Sequence, residues 1–236
     1  MFILFSALGM LILSAIVPSR YWQKAAIAGI GWFIFSIHWF TKPFHYIEID
    51  DYFNVITTIL AGLLCVFFAI YFFFAEIPSF NQWLIRIVVD QTEWLLQSID
   101  FQPLRVEWDV LSLNSHKVRI VLACTAIESI ALFMGVTLAC IDASKRRVAL
   151  AFLASVPIIY LLNLVRNAFV IIASGFMWFG SPEESFYMAH NVIAKIGSTV
   201  ALFAIAYVVL TILPELLEMI DGIAELLKKS LKRAGG

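Results

Sequence analysis

Six long apolar runs dominate this sequence of 236 residues, at about 2–17, 25–40, 54–75, 123–141, 148–179 and 191–213. Crossing the hydrocarbon core of a bilayer takes about 20 helical residues, with about 17 as the lower end, so the first two runs are marginal and the third is comfortable. The fifth is too long for one simple crossing. It is read as crossing by about Leu164 and then continuing as a tilted or broken helix, with Phe176, Trp178 and Phe179 near an interface. The first run has no basic segment before it and ends at Pro18 without a small-residue cleavage pattern, so it reads as a retained span. Of all residues 62% are hydrophobic and 14% charged, whereas soluble domains are roughly half apolar and about a quarter charged. A water-soluble fold could not hide that surplus, and in lipid each segment must satisfy its own backbone groups. The expected fold class is an all-α polytopic membrane protein. It would have about six transmembrane helices, interfacial amphipathic helices and a small extracytoplasmic β element, forming a single membrane-embedded domain over 1–236.

Charge supplies two exclusions and an orientation. The formal net charge is −1 and most Lys and Arg are scattered singly, which leaves no basic field for nucleic acid. Cys65, Cys124 and Cys140 form no CxxC pair and no metal-ligand spacing with the four histidines, so no disulfide framework, metal site or other cofactor is expected. The cluster Lys145, Arg146 and Arg147 marks a cytoplasmic loop, because basic residues in short loops stay inside. Lys228, Lys229, Lys232 and Arg233 place the C-terminus inside as well, which puts the acidic loop Ser181–Ser185 outside. Counting backwards puts 76–120 outside and the N-terminus inside, leaving Arg20 and Lys24 outside against the rule.

Two segments before Cys124 are not spans. Residues 80–100 interleave Trp83, Leu84, Ile87, Val88, Trp94 and Leu95 with Arg86, Asp90 and Glu93, which suits a helix in the membrane interface with its aromatic face toward lipid. Alternation over Leu104–Val110 and again over Lys117–Val121, with Asn114-Ser115 between, predicts a hairpin-like β element leading into Cys124. After Pro214, Leu216, Leu217, Ile220, Ile223, Leu226 and Leu227 recur at helical spacing and predict an amphipathic helix on the inner surface.

Ionisable residues inside a membrane are costly and are functional candidates by default. Glu128, Arg166 and Lys195 qualify, with His190 at the mouth of the last run. On the charge-derived topology Cys124, Arg166 and His190 all fall at the outer leaflet. A thiol at a helix N-terminus near an Arg is stabilised as thiolate, so Cys124 reads either as a nucleophile or as a small buried residue. Cys65 and Cys140 lack that setting. Arg166 can offer its fork to an oxyanion or a phosphate, held by Asn163 and Asn167, or it can snorkel. His190 reads as a general acid and base or as an interfacial residue. Glu128 can pair with Arg166 or Lys195, and Thr125 and Ser129 are most simply helix-packing groups.

The run Ala123-Cys124-Thr125-Ala126-Ile127-Glu128-Ser129 is followed by Asn163-Leu164-Val165-Arg166-Asn167 and then by His190-Asn191-Val192-Ile193-Ala194-Lys195 opening a final span. Together these resemble the three motifs of the archaeosortases, relatives of bacterial exosortases. The resemblance covers about 118–213 in order and spacing, and the Ala-Cys-Thr form is similar to the archaeosortase A branch. It implies an archaeosortase-like domain with N-terminal spans over 1–79, an extracytoplasmic or interfacial segment over 80–122, catalytic spans over 123–213 and a cytoplasmic tail over 214–236. It further implies a Cys-dependent membrane transpeptidase or protease. Such an enzyme cleaves C-terminal sorting signals of secreted proteins, each a short Pro-containing motif, one membrane helix and a basic tail. It then passes the acyl group to a lipid-derived amine. The implied partners are that sorting-signal helix and a membrane lipid, and the implied location is the cell membrane, multi-pass, with the active site facing the extracytoplasmic side. Carried over residue by residue, Cys124 is the nucleophile, Arg166 the oxyanion or thiolate stabiliser and His190 the acid/base. Archaeosortases can use a second Arg as the third group, and Lys195 is the alternative here. Thr125, Glu128, Ser129, Asn163, Asn167 and Asn191 are candidates for contacts to substrate or to those three.

Two other classes compete. A transporter or channel could line its path with Glu128, Arg166 and Lys195, although no paired broken helices or repeated halves are visible. A structural membrane subunit would use the same groups as polar glue.

Overall fold

A computed structural model describes residues 70–140 and 143–218, together with 220, 221 and 224. The first two apolar runs, most of the third, Cys65 and the basic residues at 228–233 lie outside the described residues. The chain divides into two compact units, one of which holds Tyr71–Ile130 and Phe152–Val209.

That unit begins with helix α1, Pro78–Ser98, whose first turn carries a proline where no backbone donor is needed. Its buried face is Ile85, Val88, Val89, Thr92 and Leu96, the spacing of one side of an α-helix. Each of the fully buried aliphatic side chains on that face contributes about 1.5–3 kcal/mol. Trp83 and Trp94 remain exposed, at 55% and 67%, in keeping with the aromatic side expected to face lipid. The hydroxyl of Tyr160 donates to Gln91 Oε1 at 2.6 Å and fastens α1 to a long helix described below.

The β element has three strands rather than one hairpin: β1 Leu104–Glu107, β2 Val110–Leu113 and β3 His116–Arg119, antiparallel in that order. The alternation over Leu104–Val110 is broken by a turn at Trp108-Asp109, where the pairing of Glu107 with Val110 follows an irregularity after Arg105. The Asn114-Ser115 turn is where sequence reading placed it. Both residues have positive φ, 51° and 70°, and Leu113 pairs with His116, the geometry of the two-residue turn that matches strand twist. All four β2 residues are buried. Arg105 on β1 pairs with Asp90 and Glu93 of α1; burial works against its charge, but the two carboxylates outweigh it and raise its pKa.

Helix α2, Ile127–Ala139, is only 13 residues long, short of a full crossing. Helix α3 runs unbroken from Lys145 to Gly175 through Pro157, so of the two forms expected after Leu164, tilted or broken, the helix is not broken. A lipid-embedded helix tolerates an interior proline because neighbours can re-satisfy the freed carbonyl. The chain turns only after Gly175, at Met177 with φ of 52°. The last helix starts earlier than its apolar run suggests. Ser181 and Glu184 form a reciprocal capping box and open α4, Pro182–Tyr187. A π-helical turn, Met188–Ile193, and α5, Ala194–Ile212, follow directly. The expected acidic loop is therefore a helix start.

Two described helices are long and apolar enough to cross a membrane, Lys145–Gly175 and Pro182–Ile212, each of 31 residues, with mean hydropathy of 2.3 and 2.1 over an apolar stretch of 18 residues. Each is about 46 Å long, against a hydrocarbon core of about 30 Å. Along α5, Ile196, Val200, Phe203 and Tyr207 form an exposed stripe, which suits lipid and not water.

The core of this unit joins Val88, Val89 and Leu96 of α1, Leu111 and Leu113 of β2, Cys124, and Leu164, Ala168 and Ile171 of α3. The hairpin tip is tied to α3 where Asn114 Nδ2 donates to the Gly175 carbonyl at 3.3 Å. A Cβ on Gly175 would lie 2.9 Å from Leu113 Cβ. Gly175→Ala is therefore expected to destabilise the protein by about 1–3 kcal/mol through overpacking, read as a lowered melting temperature in detergent; an unchanged melting temperature would mean that this approach is looser than the geometry indicates.

The second unit includes Ala131–Ala151 and the residues from Leu210 onward. There Arg147 pairs with Glu215, and Cys140, Ala151 and Leu213 are buried. Residues 214–218 are helical, as expected after Pro214.

Candidate active site

Strand β3 delivers the chain to a short 3-10 turn, Leu122–Cys124. The Cys124 N–H donates to the Val121 carbonyl at 2.8 Å and the Thr125 N–H to the Leu122 carbonyl at 3.0 Å. The Thr125 hydroxyl donates to the same Leu122 carbonyl at 2.6 Å and accepts from the Ile127 N–H at 3.4 Å. Ala126 then takes a left-handed φ of 58°, a strained conformation for a residue with a Cβ, costing about 1–3 kcal/mol. Only after it does α2 begin. Cys124 thus stands one tight turn upstream of the helix start on which its activation was expected to depend. Thr125 is buried and spends its hydroxyl on the turn, so its place is structural.

Asn163 and Asn167 were expected to hold the Arg166 guanidinium, and the structure corrects this. Four residues apart on α3, they share a helix face, and both side-chain amides donate to the carbonyl oxygen of Cys124, at 2.7 and 2.9 Å. Both are buried. A carbonyl left over where a 3-10 turn meets a left-handed residue needs partners when it is out of water, and two helix-borne amides supply them.

Arg166 lies on the same turn of α3, half-buried. Its Nε is enclosed and, among the described residues, has no hydrogen-bond partner. It lines a cavity of about 390 Å³ whose polar lining also includes Glu128, Ser129, Asn163, Lys195, Ser198 and Thr199 and whose apolar lining includes Ile159, Leu162, Leu202 and Ile205. Leu122, Ala123 and Ala126, the neighbours of Cys124, line it too. Among the described residues Glu128 makes no ion pair with Arg166 or Lys195; the three share the cavity instead.

His190 does not open the last helix. It sits in the π-helical turn, nine positions after Ser181, because the capping box starts the helix on polar residues that an apolar-run reading skips. Its ring stacks on Phe186, centroids 5.2 Å apart and planes 11° apart. It is half-buried, and near enough to Arg166 for their charges to interact. A π-turn is a frequent mark of functional positions in helices. Lys195 and Asn191 are exposed on the same continuous helix, Lys195 in the cavity wall. Cys140 is buried and its thiol meets the Val136 carbonyl at 3.6 Å. Among the described residues no three His, Cys, Asp or Glu side chains gather as a metal site.

The profile of the family described as Transmembrane exosortase (Exosortase_EpsH) matches residues 1–212. The chain belongs to the exosortase family. It is similar to archaeosortase A of Haloferax volcanii, 33% identical over 172 residues covering 63% of this chain and 56% of that protein. It is also similar to archaeosortase A of Natronomonas pharaonis, 31% identical over 119 residues, 44% of this chain and 38% of that one. The matched regions thus span about half or less of these relatives' own lengths. No solved structure matches this exosortase-family chain.

Proposed function

We propose that this chain is a membrane transpeptidase of the sorting type, with Cys124 as nucleophile, acting on C-terminal signals of secreted proteins and transferring them to a lipid-derived amine. The observation that carries the reading is the enclosed, unpartnered Arg166 Nε on the helical turn that grips the main chain of Cys124. A buried donor without a partner is expensive, and a substrate oxyanion would supply one.

In the proposed reaction the Cys124 thiol gives its proton to His190, its sulfur attacks the scissile carbonyl, and the negative charge that develops on the carbonyl oxygen meets Arg166. The C–N bond then breaks, the leaving amine takes a proton from His190, and a thioester remains on Cys124. An acceptor amine gives its proton to His190, attacks the thioester and expels the thiolate. The apolar lining of the cavity, Ile159, Leu162, Leu202 and Ile205, suits a substrate that is itself a membrane helix.

His190 is assigned the proton-transfer role because an imidazole changes charge near neutral pH, and Lys195, which lines the cavity with Arg166, is its rival. In proteoliposomes with a reporter bearing a sorting signal, His190→Gln is expected to slow turnover about 100-fold, within the usual range for general catalysis, and to accumulate thioester on Cys124. Lys195→Gln should cost much less. The reverse ranking would transfer the role to Lys195, and full activity in both would remove it from either.

Sidedness has its own test. With all three cysteines replaced by serine, a new thiol at Glu183→Cys should react with a membrane-impermeant reagent from outside, and one at Arg146→Cys only after the membrane is opened, as the basic cluster requires. Labelling in the opposite order would turn the site to the cytoplasm.

A further inference from the structure

We infer that Asn163 and Asn167 are positioning residues for catalysis: as a pair they fix the peptide plane after Cys124 and so set its sulfur relative to Arg166. The inference rests on the function proposed above and adds a role to it. The two amides converge on one carbonyl oxygen at 2.7 and 2.9 Å from positions 39 and 43 residues away. Both side chains are buried, with Asn163 also bordering the cavity. The side chain of the residue they hold packs in the core, and its backbone is set by the 3-10 turn on one side and Thr125 on the other. Beyond it comes Ala126 in a left-handed conformation, which the surroundings must hold in place.

The geometry explains why two asparagines flank an arginine in one helical turn. Asn163 and Asn167 share a face of α3, and Arg166 lies between them in sequence, its Nε enclosed and unpartnered. Gripping the nucleophile's own main chain from that turn makes the spacing between sulfur and guanidinium a property of one rigid helix rather than of two elements free to slide. One carbonyl can accept two hydrogen bonds, so both amides can act at once. Misplacing a reacting group by about 1 Å can cost about 100-fold in rate, whereas affinity for the substrate helix, set along the apolar lining, should hardly change.

The test uses the full chain in proteoliposomes, with Cys65→Ser and Cys140→Ser so that cysteine carrying a carbonyl ¹³C label enters only at position 124. Asn163→Leu and Asn167→Leu keep bulk and remove the donor; Asn163→Asp and Asn167→Asp, with the shape of asparagine, replace them if the leucine forms do not fold. Each single variant is expected to move the labelled carbonyl band to higher frequency. Each should also lower kcat per titratable Cys124 thiol about tenfold, and the double variant about 100-fold, with KM within about threefold, on the order of what one weak contact is worth. An unmoved band would show that the carbonyl is not clamped. A shifted band with unchanged kcat per titrated thiol would make the pair a folding device, and a loss confined to KM or to the folded fraction would do the same. The band reports the clamp whether or not the chain is an enzyme, while retained processing in Cys124→Ala would overturn the functional reading alone.

Discussion

Replacing Cys124 by alanine is expected to reduce processing of a sorting-signal reporter by about 100,000-fold or more, to the level of the uncatalysed background. Losing a covalent nucleophile removes the step through which all later ones pass. Cys140→Ala serves as the contrast. That thiol is buried against the Val136 carbonyl in the other compact unit, so it should leave kcat unchanged, at a stability cost of the size usual for a small buried side chain. The assay separates signal cleavage from transfer by following the released C-terminal helix and the mass of the product together. Processing retained in Cys124→Ala would leave the proposed chemistry without a nucleophile, and the three motifs would then have to be explained as packing.

Arg166→Lys is expected to lower kcat by about 100- to 1000-fold, the range for removing an oxyanion donor. Lysine keeps the positive charge, and its strongly hydrated point charge cannot reproduce the planar fork or place an N–H where the Arg166 Nε is enclosed. Charge-only models predict the opposite, near-normal activity in the lysine variant. Because Glu128 and Lys195 share the cavity, the comparison should include Glu128→Gln. If that variant restored activity to Arg166→Lys, the operative quantity would be net charge in the cavity rather than directed hydrogen bonding.

Much of this was readable from residues alone, for identifiable reasons. Hydropathy sums over neighbours in sequence, so the apolar runs 148–179 and 191–213, which lie in the two membrane-crossing helices, stand out without any tertiary information. The Asn114-Ser115 turn was legible because positive φ favours such residues locally. The start of the last helix was misplaced for a related reason: Ser181 and Glu184 cap it through polar contacts, and an apolar-run reading begins only where polarity ends. The β element was read as two strands because alternation continues through Trp108-Asp109, and nothing local reveals that the chain turns there.

The sequence by itself determined the membrane class, the order of the three motifs and the list of chemically capable side chains, because these depend on composition and short spacing. Only the tertiary structure decided what the asparagines hold. Sequence adjacency made Arg166 their natural partner, yet a side chain on a helix points across to a neighbouring element and not along to the next residue. Their amides therefore met a carbonyl at the junction of the 3-10 turn and the left-handed Ala126, that of Cys124.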